Sequence, residues 1–189
     1  AELADRLPDR AIERHEGRQP LLVPGGAPEV TGRPTDTVLS IDTNGKWMVL
    51  WNLEQVPLYG RLLDEILDPV VPFVPRREGR MGRRECFLFL SAPGSITPVH
   101  FDPEHNFLLQ IRGTKHFNVG RFPDRAAELA ELDRYHQGGH RNLESIPPLS
   151  TSFTMRPGEG VYVYPWAPHW VENGPAASVS LSISFPTTL

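Results

Sequence analysis

The sequence predicts a mainly β protein with helices in its N-terminal flank. The clearest observation concerns residues 177–185, in which apolar residues alternate strictly with serines, as expected for a strand with one buried face. Residues 86–91, 107–111 and 114–119 are further apolar runs of strand length. Residues 53–67, in contrast, space their leucines as on one side of a helix. Together these patterns place strands in the C-terminal half of the chain and helices before them.

The N-terminal flank begins with a helical pattern over residues 2–16, where apolar residues recur with charged residues between them. The segment 20–34 is rich in Pro and Gly and is interpreted as an ordered but irregular connection. The helix over residues 53–67 is predicted to end at Asp68-Pro69, because the residue before a proline disfavours helical backbone.

A β-hairpin is predicted between these two helices. Residues 37–42 and 46–52 enclose Asn44-Gly45, and Asn-Gly favours a tight hairpin turn because both residues tolerate positive φ. Three residues of the second arm share one face: Trp47, Val49 and Trp51. We interpret this face as core, and the alternative is that its aromatic residues line the entrance for a substrate.

The C-terminal half contains the predicted barrel strands. They cover residues 86–91, 98–102, 107–111, 114–119, 152–156, 160–164, 169–172 and 177–185. A helix is predicted for residues 124–134, with Asp124 as its N-cap, and the irregular segment 135–149 follows it. This segment is interpreted either as a lid beside a site or as an exposed connector.

Five arginines fall between residues 76 and 84, with two glycines among them. Such a run is typical of a solvated loop, and the alternative is a docking site for an anionic substrate or partner.

Composition limits the classes of protein to consider. The 189 residues are predicted to form one domain, with a flank of about residues 1–85 and a barrel core of about 86–185. The formal net charge of -4 gives no reason to expect nucleic acid as a partner. Cys86 is the single cysteine and is interpreted as a small buried hydrophobe, and the lack of paired cysteines fits a reducing compartment.

No apolar run reaches the length of a membrane span, and residues 1–19 lack the apolar stretch of a secretory signal. We therefore expect a cytoplasmic protein with no membrane partner. The chain begins at Ala1 and not at Met, which leaves an upstream segment open.

A candidate metal site lies in the segment 94–115. His100 and Asp102 are two residues apart in an extended segment, so their side chains are expected on the same side. His169 ends another apolar extended run and is the third ligand that we would choose. Two histidines and one carboxylate on one face of an ion are typical of non-haem Fe(II) oxygenases. A His-x-Asp pair alone is weak evidence, since such residues are also common as ordinary polar side chains.

Lys115 is one of only two lysines beside seventeen arginines, and it lies in a predicted central strand. A buried ammonium without an anion would cost several kcal/mol, and its own strand has no acidic residue. A ligand carboxylate is therefore one partner for Lys115, and the alternative is a lysine that points outward from the sheet. Alternation puts His116 on the face opposite Lys115. His105 is an odd number of residues away from His100 and Asp102, so its side chain is expected on the opposite side from theirs, and neither histidine is favoured as a ligand.

These residues resemble the cupin-type jumonji C (JmjC) oxygenases, and among them the asparaginyl hydroxylase of hypoxia-inducible factor and its bacterial cupin-like relatives. The first motif is Gly94, five residues, His100, one residue, Asp102, three residues, Asn106, six residues and Gly113. The second is Arg-Pro-Gly-Glu-Gly-Val-Tyr-Val-Tyr-Pro, followed by His169 and Asn173. The resemblance implies a double-stranded β-helix, which is a jelly-roll barrel, behind the N-terminal helical flank.

The resemblance also implies site residues. His100, Asp102 and His169 would bind Fe(II) as the catalytic centre. Thr97 and Lys115 would hold the distal carboxylate of 2-oxoglutarate, with Asn106 near its chelating end. Ser184 stands where the hydroxylase has a second Asn on the last strand, and the strands just before Gly94 contain no counterpart of the family's 2-oxoglutarate-binding Tyr.

The activity implied is an Fe(II)- and 2-oxoglutarate-dependent dioxygenase that uses molecular oxygen, with hydroxylation of an unidentified protein, peptide or small molecule. Charge supports this expectation, because Fe(II), Asp102, a dianionic co-substrate and Lys115 together sum to neutral. Two alternatives stay open: a metal-dependent cupin enzyme that does not use 2-oxoglutarate, and a non-catalytic binding or regulatory module. A homodimer is one option for its assembly.

Overall fold

Two antiparallel sheets face each other in the computed structural model, which describes residues 2–26 and 28–188. The strands are β1 Ile12–Glu16, β2 Lys46–Leu50, β3 Arg80–Met81, β4 Glu85–Ser91, β5 Ile96–His100, β6 His105–Arg112, β7 Lys115–Gly120, β8 Leu149–Met155, β9 Gly160–Val163, β10 His169–Asn173, β11 Ser178–Phe185 and β12 Thr187–Thr188. The α-helices are α1 Glu2–Arg6, α2 Pro34–Leu39, α3 Pro57–Leu67 and α4 Arg125–His136. Short 3-10 turns cover Asp9–Ala11, Leu53–Gln55, Val71–Phe73 and Arg76–Glu78.

The larger sheet has the order β1-β2-β4-β11-β6-β9, and the smaller has the order β5-β10-β7-β8. Neighbouring strands are antiparallel, and β3 pairs separately with β12. The predicted jelly-roll barrel is confirmed, with the cavity between the sheets. The flank contributes β1 and β2 to the larger sheet, so it is part of the barrel wall as well as a cover.

The alternation in β11 determines which face of the larger sheet is polar and lines the cavity. Its serines are buried toward the cavity, and Ser182 donates from its hydroxyl to Asn106 Oδ1 at 2.7 Å. Leu181, Ile183 and Phe185 point the other way, into a core cluster that includes leucines of α3. Burial of large side chains on this outer face, at about 1.5–3 kcal/mol each, holds the helical layer against the sheet.

The helix predicted over residues 2–16 is wrong beyond its first turns. α1 ends at Arg6, because Pro8 has extended backbone with ψ 150° and cannot donate a helical hydrogen bond. Ile12–Glu16 forms β1 instead and pairs with β2, with Ile12 opposite Leu50. Its apolar positions suit either element, and the free edge of β2 decides between them.

The predicted hairpin is also wrong in its first arm, because Pro34–Leu39 is the helix α2. Asn44 Nδ2 donates to the carbonyl of Thr37 at 2.9 Å, and Asn44 Oδ1 accepts from the Lys46 amide at 2.9 Å. Gly45 has φ 66°. Asn-Gly therefore belongs to the turn between α2 and β2, and the partners of β2 are β1 and β4.

The other predicted elements agree with the structure to within a few residues. α3 begins at Pro57 after a 3-10 turn and ends before Asp68. Asp124 Oδ1 accepts from the Ala127 amide at 2.8 Å, which confirms the N-cap of α4. Ala27, in the predicted irregular connection, lies outside the described residues. None of the helices in the described part of the chain has the length and apolar content that a membrane crossing needs.

Candidate functional site

The structure brings His100, Asp102 and His169 together inside the barrel. His100 is the last residue of β5 and lies directly opposite His169, the first residue of β10, so strand pairing alone juxtaposes the two rings. Their centroids are 4.1 Å apart. Asp102 follows β5 by two residues, and one ligand atom from each of the three residues lies within 4.8 Å of the others.

Hydrogen bonds to backbone carbonyls orient both imidazoles. His100 Nδ1 lies 2.8 Å from the oxygen of Pro98, and His169 Nδ1 lies 2.9 Å from the oxygen of Ala167. A carbonyl can only accept, so each Nδ1 donates and each neutral ring keeps its lone pair on Nε2. Both Nε2 atoms face Asp102 Oδ2, at 3.8 Å from His100 and 3.6 Å from His169. These three atoms fit a divalent metal, because each offers a lone pair to the same point.

The protonation states also fit a metal. Burial lowers the pKa of His100 to about 3, with the neighbouring His169 adding to the effect, and burial likewise lowers the pKa of His169. For Asp102, burial raises the pKa, but the charge and hydrogen bond of Arg141, together with the adjacent histidines, outweigh burial and lower the pKa to about 2. Near neutral pH the site therefore has two neutral imidazoles and one carboxylate.

Sequence reasoning missed Arg141. Its Nη1 donates to Asp102 Oδ1 at 2.7 Å, on the side away from the histidines. Arg141 is the only arginine in the predicted irregular segment 135–149, and that single guanidinium is the one sequence feature that could have suggested it. With Arg141 included, the charges of Fe(II), the dianionic co-substrate, Asp102, Lys115 and Arg141 sum to +1 and not to neutral.

The three residues line one part of a cavity between the two sheets. Lys115 lies in the same cavity and is 4% exposed, so the outward-pointing alternative is wrong. Burial lowers the pKa of Lys115 to about 8, and no carboxylate in the described part of the chain offsets this effect. Its Nζ lies 5.7 Å from the centre of the Phe89 ring, a weak contact for a buried charge.

The remaining predicted co-substrate residues line the same cavity: Thr97, Asn106 and Ser184. Asn106 lies opposite Ser184 in the β6 and β11 pairing, and Thr97 lies opposite Val171 of β10. His116 is exposed on the far side of β7, next to Thr154. His105 is buried against Tyr162 and Glu78 and is not among the three converging residues.

Trp47 and Trp51 line the cavity, as the alternative interpretation of their face expected, and Trp51 also packs against the outer core cluster. The other face of β2, with Met48 and Leu50, packs in the outer core, which turns the tryptophan face inward. Val49 between them is fully buried. The cavity wall also includes two carboxylates that the sequence did not suggest, Glu85 and Glu104.

Of the two irregular segments interpreted from the sequence, 135–149 reaches the cavity and 76–84 does not. The segment after α4 reaches the cavity through Arg141. In the arginine-rich segment, Arg83 lies 2.9 Å from Glu54, and Arg84 lies 2.7 Å from both Asp64 and Asp68. These ion pairs hold that segment to the helical flank, and none of its arginines lines the cavity.

Comparison with known proteins gives two kinds of match. A sequence model of the JmjC domain matches residues 80–188, more than half of the chain. The ribosomal oxygenase YcfD from Escherichia coli, in complex with cobalt and 2-oxoglutarate, superposes with a TM-score of 0.64 at 16% identity, covering 100% of this chain and 44% of that protein. The same enzyme with cobalt and succinic acid gives 0.62 at 15% identity, covering 100% and 42%. A comparison with curated proteins found no match.

The structural likeness establishes the fold, and the chain spans less than half the length of these solved proteins. The resemblance to the asparaginyl hydroxylase of hypoxia-inducible factor stays a prediction. The family assignment has independent support, because the matched residues 80–188 include both histidines, Asp102 and Lys115. The chain belongs to the JmjC domain family.

Proposed function

We propose that the protein is an Fe(II)- and 2-oxoglutarate-dependent oxygenase of the hydroxylase type. The observation that carries the proposal is the buried ammonium of Lys115, which shares a cavity with three converging metal-ligand side chains and has no ion-pair partner among the described residues. An unpaired buried charge is costly, and an anionic ligand in that cavity would remove the cost.

His100 Nε2, Asp102 Oδ2 and His169 Nε2 would hold the ion. Fe(II) bound there, together with 2-oxoglutarate, would supply the chemistry that splits molecular oxygen between succinate and a hydroxylated substrate. The protein prepares for this binding by fixing both imidazole tautomers through Pro98 and Ala167. It also keeps the rings neutral by burial, so no proton has to leave them when a cation arrives.

Lys115 would bind the distal carboxylate of the co-substrate. Its ammonium is a compact donor with a charge that the cavity does not otherwise neutralise. Thr97 would add a hydroxyl donor to the same carboxylate, while Asn106 and Ser184 would form the polar wall beside the chelating end. Asn106 is already oriented by the hydroxyl of Ser182, which donates to its Oδ1 and leaves its amide free to donate elsewhere.

Substrate would enter beside Trp47 and Trp51. Their indoles, together with Phe87 and the carboxylates of Glu85 and Glu104, make a wall that is both apolar and acidic. We propose a C–H bond of a protein side chain, a peptide or a small molecule as the target, and the cytoplasm as the location. No nucleic acid is proposed as a partner, because the net charge of -4 does not favour a polyanion.

The test is succinate formation in the absence of any added substrate. The parent protein is incubated in air with Fe(II) and 2-oxoglutarate, and succinate is quantified by mass spectrometry. We expect slow formation by the parent and none by His100→Ala or Lys115→Ala. Lys46→Ala, which removes the only other lysine, is the matched control and should behave like the parent.

Two outcomes would overturn the proposal in different ways. Unchanged succinate formation in Lys115→Ala would show that this lysine does not hold the co-substrate and would favour a cupin enzyme that uses Lys115 for its own acidic substrate. A parent protein that binds no metal and forms no succinate would favour a non-catalytic binding module.

A further inference from the structure

The two oxygens of Asp102 have different environments. Oδ2 faces both histidines, at 3.8 Å and 3.6 Å from their Nε2 atoms. Oδ1 points the other way and accepts from Arg141 Nη1 at 2.7 Å. The carboxylate is largely buried, with 14% of its side chain exposed, so this guanidinium is the donor that replaces water at Oδ1.

Arg141 reaches this position on a segment that is fixed by other contacts. Asn142 lies opposite His100 in an isolated bridge, and its Nδ2 donates to the carbonyl of Val23 at 2.7 Å. From α4, the guanidinium of Arg134 donates to the carbonyls of His140 and Asn142, both at 2.7 Å. The backbone on each side of Arg141 is therefore held without help from Asp102, and the guanidinium is presented to Oδ1 in advance.

We propose that Arg141 is a positioning residue that restricts Asp102 to binding metal through one oxygen. The inference rests on the proposed function and concerns a residue outside the ligand set. If three protein atoms held one face of an octahedral ion, three coordination positions would stay open. These would suffice for a keto acid that binds through two oxygen atoms and for molecular oxygen. A carboxylate that bound through both oxygens would take one of these positions.

Loss of Arg141 would leave Oδ1 buried and without a donor. A buried carboxylate oxygen without a partner is costly, and the nearest way to satisfy it is to turn toward the cation. Removing the guanidinium also removes a positive charge close to the ion, which favours the second metal–oxygen bond further. The structure thus assigns to Arg141 the task of keeping a coordination position open.

The test compares Asp102 in the Co(II)-loaded parent protein, Arg141→Met and Arg141→Lys by crystallography. In the parent and in Arg141→Lys, which keeps an N–H donor, we expect one Asp102 oxygen on the metal. In Arg141→Met we expect both oxygens on the metal, and succinate formation with Fe(II) lower by about 10–100-fold. Arg156→Met, at an exposed arginine after β8, is the control and should match the parent.

Several outcomes would overturn the inference. Asp102 bound through one oxygen in Arg141→Met, with succinate formed at the parental rate, would contradict it while the proposed function stands. Equal losses in Arg141→Lys and Arg141→Met would also contradict it, because the donor would then not be the cause. If Arg141→Met does not fold, Arg141→Leu replaces it, since its side chain also has no N–H donor. A parent that forms no succinate refutes the proposed function, while the Co(II) structures still decide how Asp102 binds.

Discussion

Two cations line the cavity, and their surroundings differ. Arg141 lies beside the candidate metal ligands, where it is ion-paired with Asp102 at 2.7 Å and 37% of its side chain is exposed. Lys115 is buried and lies near an aromatic ring, without a carboxylate to offset its burial among the described residues. The first cation has its anion supplied by the protein, and the second does not.

The two cations therefore have different roles: Arg141 orients a protein side chain, and Lys115 is available to bind an anionic ligand. A paired charge such as Arg141 shapes its partner and contributes to the folded state before any ligand arrives. An unpaired buried charge lowers the stability of the ligand-free protein. The lost stability is regained only when an anion binds.

The largest effect is expected from His100→Ala. Removing one of three ligand atoms should abolish Co(II) binding, because the remaining histidine and carboxylate no longer surround one point. In the parent, Co(II) should raise the melting temperature by mass action, and in His100→Ala this rise should disappear. A similar rise in both proteins, measured by differential scanning fluorimetry, would place the metal elsewhere.

Lys115→Met should stabilise the ligand-free protein while removing its response to 2-oxoglutarate. Methionine fills a similar volume without an ammonium to desolvate, so we expect the free energy of unfolding in urea to rise by about 1–3 kcal/mol at pH 7. Lys46→Met is the control and should change it little. Destabilisation by Lys115→Met would mean that the ammonium already has a partner in the folded protein.

The stability difference between the parent and Lys115→Met should depend on pH. Burial lowers the pKa of Lys115 to about 8 from an unfolded value of 10.5, so between these values the folded state binds fewer protons than the unfolded state. Parental stability should therefore rise with pH across this window, relative to the variant, by at most about 1.4 kcal/mol per pH unit. A flat difference from pH 7 to 10 in urea unfolding would contradict the lowered pKa.

The smallest effect is expected from Asn142→Ala, which removes a contact that holds the backbone beside Arg141 but keeps the guanidinium of Arg141. Losing the bond from Asn142 Nδ2 to Val23 should cost about 1–2 kcal/mol in the free energy of unfolding. Succinate formation should fall less than in Arg141→Met. A loss as large as that of Arg141→Met would show that the segment, and not the guanidinium, controls Asp102.

The parts of the site that sequence could predict are those fixed by strand periodicity. His100 and Asp102 share a side because they are two residues apart, and Lys115 shares a face with Phe117 because β7 alternates. The serines of β11 share one face for the same reason. Local alternation determines which residues share a face, whereas the direction of that face depends on what packs against the strand.

The parts that sequence could not predict depend on distant partners. Arg141 reaches Asp102 only because its irregular segment docks on β5 and on Val23. These contacts produce no periodic pattern in the sequence. Ile12–Glu16 forms a strand because the edge of β2 accepts it. Trp47 faces the cavity because Met48 and Leu50, on the other face of β2, pack in the core cluster beneath the helices. In each case tertiary packing decides between two locally acceptable structures.

Calorimetric titration of 2-oxoglutarate into the Co(II)-loaded protein tests most directly the claim that Lys115 is reserved for an anionic co-substrate. The parent and Lys46→Met should bind one equivalent, and their affinity should fall as the pH rises above about 8, where the ligand-free ammonium loses its proton. Lys115→Met should bind Co(II) like the parent and show no measurable binding of 2-oxoglutarate. Binding of 2-oxoglutarate to Lys115→Met with parental affinity would contradict this role of Lys115.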